Sequence, residues 1–252
     1  MHPIERLRYV ARAGDPDPAL LASDAAGALA GLSADPRALL VAARRLLEFH
    51  PGCAPLWSVA ARVLAAGDAR AESDRCIEEL GDDPTAEELA VAFDGSAVVA
   101  TVPSPVIVAS CELRPDLALR LIADGWTLRS AARTLSDHRD LACYLPDELE
   151  EAIADATVAV VEIAAAGASG VVVDITTRSL VAGAGRLAIP VWAVAPIGRV
   201  LPEPLFRAFV ARNDAYVSHY DEFDRVVGPD GPETPAVAFA RSDCPALAEL
   251  TH

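Results

Sequence analysis

The chain has 252 residues, 52% of them hydrophobic, and a formal net charge of −16. That length and apolar content allow one large domain, or a small one beside a medium one, and exclude a disordered chain. The acidity and the lack of a basic stripe argue against direct nucleic-acid binding and against attraction to anionic membranes, and because every one of the 21 Lys+Arg residues is arginine, lysine Schiff-base chemistry and a Walker-type phosphate loop are excluded too.

Residues 1–93 read as helices only. "HPIERLRYVARAG" carries Ile4, Leu7 and Val10 at helical spacing. "DPALLASDAAGALAGL" and "DPRALLVAARRLLEFH" both open on Asp-Pro, which suits an N-cap followed by the first helical position. "APLWSVAARVLAAG" ends on Gly67, a suitable residue just past a helix end. "DARAESDRCIEEL" and "TAEELAVAF" complete a bundle of about six short helices.

From residue 94 the pattern alternates. "SAVVAT" predicts a strand, "SPVIVASCEL" a helix, "LALRLIAD" a strand and "TLRSAARTLSDH" a helix. "DLACYLP" is a weak strand and "DELEEAIADA" a helix with its acids early, where they complement the helix dipole. "TVAVVEI" is a strong strand. "AAAGASGVVVDI" is read as a loop, "TTRSLVAGAGRLA" as a helix, "IPVWAVA" as a strand and "PEPLFRAFVAR" as a helix. The tail is loop-rich with one or two short strands. This predicts an α/β fold: a helical N-terminal domain, residues 1–93, followed by a Rossmann-like, mostly parallel sheet over residues 94–252. Ligands of such sheets bind at the carboxyl ends of the strands, here "TVPS", "EIAAAGASG" and "APIGR".

Five cysteines (Cys53, Cys76, Cys111, Cys143, Cys244) are widely spaced, without a CxxC pair or a Cys/His cluster, so neither a metal nor a cofactor is expected. The first residues lack an apolar leader, and no run approaches the roughly 20 apolar residues of a membrane span. The expected location is the cytoplasm, with reduced thiols.

Candidate functional residues gather near strand ends. Ser104 in "TVPSPV" caps a helix, and the same hydroxyl would face a phosphate held at that helix start. Glu162 closes a central strand, where an unpaired acid is costly. It is a candidate catalytic base, or else the ion-pair partner of Arg178 or Arg199. In "DITTR", Asp174 precedes Thr176, Thr177 and Arg178. Thr176 or Thr177 is the expected N-cap, with Arg178 placed for a phosphate. "GAGRLA", Gly183 to Ala188, has the spacing of a dinucleotide loop but ends a helix instead of following a strand, so it is read as a packing feature. Trp57, Trp126 and Trp192 are read as core or interface anchors.

The order "VVEI", "GASG", "DITT", "IPVWAVAP" resembles the initiation factor 2B alpha/beta/delta family, which includes methylthioribose-1-phosphate isomerase and ribose-1,5-bisphosphate isomerase. The closing "DRVVGPDG…ARSDCPALAEL" is similar to that family's last segment. The resemblance spans roughly residues 94–252. It implies a Rossmann-like domain of the NagB/RpiA/CoA transferase-like type behind helices, a sugar-phosphate pocket between the two parts, and a homodimer formed through the C-terminal part. The chain departs from the isomerases at the pocket. Ser104 is nearest to their cysteine, and Cys111 lies too far along. Their aspartate falls on Ile163, one place after Glu162, and their lysine on Asp174.

The resulting expectation is an initiation factor 2B-like protein with an eroded isomerase site. It would bind a small ligand, a sugar phosphate or nucleotide, through Ser104, Asp174, Thr176, Thr177 and Arg178 in a regulatory or scaffold role. The alternatives are an active aldose-ketose isomerase with Glu162 as base, and an adaptor working through its N-terminal helices.

Overall fold

A computed structural model describes residues 17–95 and 97–251. The expected helix over residues 2–14 lies outside the described residues. The two Asp-Pro starts behave as predicted. Asp17 caps α1 (Pro18–Ala30), its Oδ1 accepting from the Ala19 N–H at 2.8 Å. Asp35 caps α2 (Pro36–Phe49), accepting from Arg37 at 3.0 Å. Three more helices follow: α3 (Ala54–Ala65), α4 (Ala69–Gly81) and α5 (Thr85–Ala92). After α3 the cap is Ala66 in an extended conformation, and Gly67 needs no left-handed φ.

The second part is built on a seven-stranded sheet. Its strands are β1 (Val98–Thr101), β2 (Ala118–Ile122), β3 (Leu141–Tyr144), β4 (Val158–Glu162), β7 (Val191–Val194), β9 (Arg225–Gly228) and β10 (Gly231–Glu233). The order is β10-β9-β7-β4-β1-β2-β3, parallel throughout except for the β9–β10 pair. The strand order reverses between β1 and β4, the switch point at which doubly wound sheets open a crevice.

Helices cover both faces. α5, α6 (Pro105–Glu112) and α7 (Gly125–Thr134) bury Leu89, Ile107, Cys111 and Ala131 against one face. α8 (Leu149–Ala152) and α9 (Ile175–Arg186) bury Ala152, Leu180 and Ala184 against the other. The strands are apolar in nearly every position because both faces are covered. α10 (Glu203–Asn213) leaves the sheet and packs among the N-terminal helices, where Phe206 and Phe209 share a core with Leu46, Leu56 and Trp57. Burying each aromatic there contributes about 1.5–3 kcal/mol.

Three expectations are corrected. The segment read as a loop after β4 is a hairpin, β5 (Ala165–Gly167) and β6 (Gly170–Val172), joined by β8 (Val217–Ser218) in a small antiparallel sheet. Gly170 has φ 153°, and a Cβ there would stand 2.4 Å from Val217 Cγ1, so only glycine lets these strands close. The "DELEEAIADA" helix shrinks to a 3-10 turn, Pro146–Glu148, and the single α-turn of α8. The tail holds three short strands, two of them in the main sheet. Gly183 acts as read, in packing: a Cβ would come within 3.0 Å of Ile153 Cδ1, beside α8.

Candidate functional site

The carboxyl ends of β1, β4 and β7 meet the starts of the N-terminal helices around a cleft of about 330 Å3. Its floor is formed by Glu162, the last residue of β4, and by Arg199 in the loop after β7. Pro105 and Val106 of α6, Pro18 of α1 and Pro55 of α3 form apolar walls. Proline at each of these helix starts removes an N–H that would otherwise be unsatisfied there.

Glu162 and Arg199 form an ion pair: Arg199 Nη2 donates to Glu162 Oε1, and Arg199 Nη1 donates to the Ala164 carbonyl at 3.2 Å. Of the two partners predicted for Glu162, the structure selects Arg199. Arg178 instead lies over the Tyr216 ring, 4.7 Å from its centroid. Two atoms of the pair, Glu162 Oε2 and Arg199 Nε, are buried and have no hydrogen-bond partner among the described residues. The one-residue offset from the isomerase pattern has a definite outcome. Ile163 is 1% exposed and belongs to the core, while Glu162 lines the cleft.

The loop carrying Arg199 is held by two distant carboxylates. Asp83, just before α5, accepts from the Ile197 N–H at 2.7 Å. Asp243, in the C-terminal tail, accepts from Gly198 at 2.8 Å and Val200 at 3.2 Å. Burial pushes the Asp243 carboxyl above its ordinary value, against the pull of those two N–H groups. Gly198 has φ 84° and touches the start of α3, where a Cβ would stand 2.9 Å from Pro55 Cα. Asp83 and Asp243 were not found from the sequence. Each is separated from its loop partner by more than 40 residues, and no local pattern marks a carboxylate that serves a remote N–H.

The remaining predicted residues lie apart from the cleft floor. Ser104 caps α6 through the Ile107 N–H at 3.4 Å and lines a neighbouring groove with Trp126, which is 66% exposed. Asp174, Thr176, Thr177 and Arg178 are not among the residues lining the cleft. The cap of α9 is Asp174, not a threonine. Its carboxylate accepts from the Thr176 N–H at 2.8 Å, the Thr177 N–H at 3.0 Å and the Thr177 hydroxyl at 2.6 Å. The donors of this helix start therefore already face a carboxylate. Cys111 is buried in the sheet core, where desolvation pushes its thiol up to about 12. Among the described residues no group of three potential metal ligands occurs, and no helix is long and apolar enough to cross a membrane.

Fold and cleft together define a class: a doubly wound α/β chain whose switch-point crevice is roofed by its own N-terminal helices. Solved structures of this class are similar over almost the whole chain. The Pyrococcus horikoshii OT3 translation initiation factor eIF-2B superposes with a TM-score of 0.78 at 15% identity, covering 94% of this chain and 98% of that one. A chain of the tetrameric eIF2B-beta2-delta2 complex from C. thermophilum gives 0.71 at 15% identity, covering 92% and 90%. The 5-methylthioribose 1-phosphate isomerase of P. horikoshii OT3 gives 0.61 at 12% identity, covering 93% and 85%. No family model and no curated protein sequence matches the chain. The resemblance to the initiation factor 2B family read from residues 94–252 holds in the fold, and it extends over the helical half as well.

Proposed function

We propose that the chain is an initiation factor 2B-like protein that binds a small ligand in the Glu162–Arg199 cleft and acts as a regulatory or scaffold component. The observation that carries this reading is a walled cleft at the switch point whose polar floor is a buried ion pair instead of an acid-base pair. The hydroxyl of Ser104 faces its own helix, and the thiol of Cys111 faces the core, so neither supplies a nucleophile or acid beside Glu162. On this reading the ligand sits in the cleft beside Glu162 and Arg199, not on the α9 start. Pairing of two copies through the C-terminal half belongs to the same reading, supported by the assembly named for one of the neighbours.

Thermal-shift screening with sugars, sugar phosphates, nucleosides and nucleotides tests it. Millimolar ligand raises the Tm of the native chain, and Ala109→Phe, which puts a ring into the cleft from α6, removes the shift. If no compound moves the Tm, the ligand reading fails.

The place of Glu162, at the carboxyl end of β4 and in the lining of the cleft, favours a second reading, an aldose-ketose isomerase with Glu162 as base. Aldose-to-ketose conversion followed by NMR, present in the native chain and lost in Glu162→Gln, would establish it.

A further inference from the structure

Beyond the ligand reading, and standing without it, we propose that residues 2–14 fold back from Asp17 and dock over the mouth of the Glu162–Arg199 cleft of their own chain, as an arm that any ligand of the cleft must displace.

The path of the chain puts the arm there. Residues 1–16 lie outside the described residues and join them at Asp17, which lines the cleft together with Pro18 and Ala19. An arm of 13 residues spans about 40 Å when extended and about 20 Å as a helix. In either form it is long enough to cross a cleft of about 330 Å3. Tethered at the rim, it is present at an effective concentration on the order of millimolar, so a weak contact is enough to hold it.

Composition gives the fit. Residues 2–14 hold three arginines, Arg6, Arg8 and Arg12, against one acid, Glu5, in a chain of net charge −16. The cleft has the opposite sign: Asp17, Asp83 and Glu87 belong to its lining, and Arg199 is already paired with Glu162. Attraction between the two is strongest at this short range. In a helical reading Ile4, Leu7 and Val10 form one stripe, and Arg6 and Arg8 flank it on either side. The cleft offers the complement, apolar walls of Pro18, Pro105, Val106 and Ile197 beside those three acids. A volume of about 330 Å3 accepts a few apolar side chains from a segment lying over it, not the segment whole. The start of α5 points to the same occupant. Its cap residue, Pro84, makes no side-chain hydrogen bond, and the N–H groups of Ala86 and Glu87 have no acceptor among the described residues. A peptide brings carbonyls and carboxylates to such donors.

Limited trypsin digestion of the native chain tests the proposal, because each arginine of the arm is a cleavage site and none precedes proline. Mass spectrometry follows cleavage after Arg8 and Arg12, with a synthetic peptide of residues 1–16 as the reference. The native chain is expected to be cut at least about tenfold more slowly than the peptide. Ala109→Phe, which fills the cleft from α6, should bring the rate to within about twofold of the peptide's. Glu87→Arg, which reverses a charge on the exposed rim, should raise the native rate by about threefold. Circular dichroism checks the fold of both variants. Cleavage of the native chain at the peptide's rate overturns the proposal. Slow cleavage that Ala109→Phe leaves unchanged, or Glu87→Arg if that variant alone folds, places the arm elsewhere and overturns it as well. Protection lost on dilution assigns the arm to a second copy and overturns docking within one chain. No ligand enters this test, so its failure leaves the ligand reading to the thermal-shift screen.

Discussion

At the scale of single residues, the site depends on one backbone conformation and one ion pair. Gly198 is the hinge of the Arg199 loop. Its φ of 84° is in the left-handed region, and its α-hydrogen faces Pro55 where a Cβ would meet backbone at 2.9 Å. Gly198→Ala is therefore expected to lower stability by about 1–3 kcal/mol in urea unfolding. Gly67→Ala, at a glycine with nothing within 4 Å and no positive φ, should be neutral or slightly stabilising. Equal stabilities for the two variants would mean that the loop is not fixed as described. Glu162 was legible in the sequence because a buried acid at a strand end needs a partner. Arg199 was legible as one of two candidates, but only the packed loop chose between it and Arg178. Asp83 and Asp243 were not legible, since their partners are brought close by folding alone.

At the scale of elements, the start of α9 shows a local competition that residue preferences leave open. Asp, Thr and Thr within "DITT" are all good caps. The winner is Asp174, whose one carboxylate reaches two N–H groups and a hydroxyl together. Asp174→Ala is expected to cost about 1–2 kcal/mol, read as a lowered Tm. Thr176→Ala, by contrast, should cost little. The reverse ranking would return the cap to the threonines. The β5–β6 hairpin was missed because its strands have three residues each, too short for an alternation pattern. It exists because Gly167 and Gly170 allow contact with Phe206 and Val217, residues of α10 and β8. Long helices and the apolar strands β1, β2, β4 and β7 were read correctly because their periodicity extends over several residues.

At the scale of the molecule, the change of pattern near residue 93 does not separate two cores. Helices α1 to α4 pack on Leu205, Phe206 and Phe209 of α10 and on Leu250 near the C-terminal end. Helix α5 lies on the sheet, contributing Leu89 to its core. We expect the two halves to unfold together. In a Trp126→Phe/Trp192→Phe variant, Trp57 fluorescence reports on the helical core. Its urea transition should coincide with loss of far-UV circular dichroism within error. Separate midpoints would show that the halves are independent. The same packing bears on the adaptor alternative: residues 1–93 alone would lose the aromatic side chains that fill their core, and Phe209→Ala in the full chain is expected to cost about 3–5 kcal/mol.

The sequence by itself determined the order of the main helices and strands and the parallel sheet. These follow from local periodicity, capping chemistry and the handed connection of strand to helix, each encoded within a dozen or so neighbouring residues. The tertiary structure alone decided which charges meet. The Glu162–Arg199 pair and the two carboxylates that fasten its loop join residues 37 to 114 positions apart in the chain, and only a packed core brings such groups within hydrogen-bonding distance.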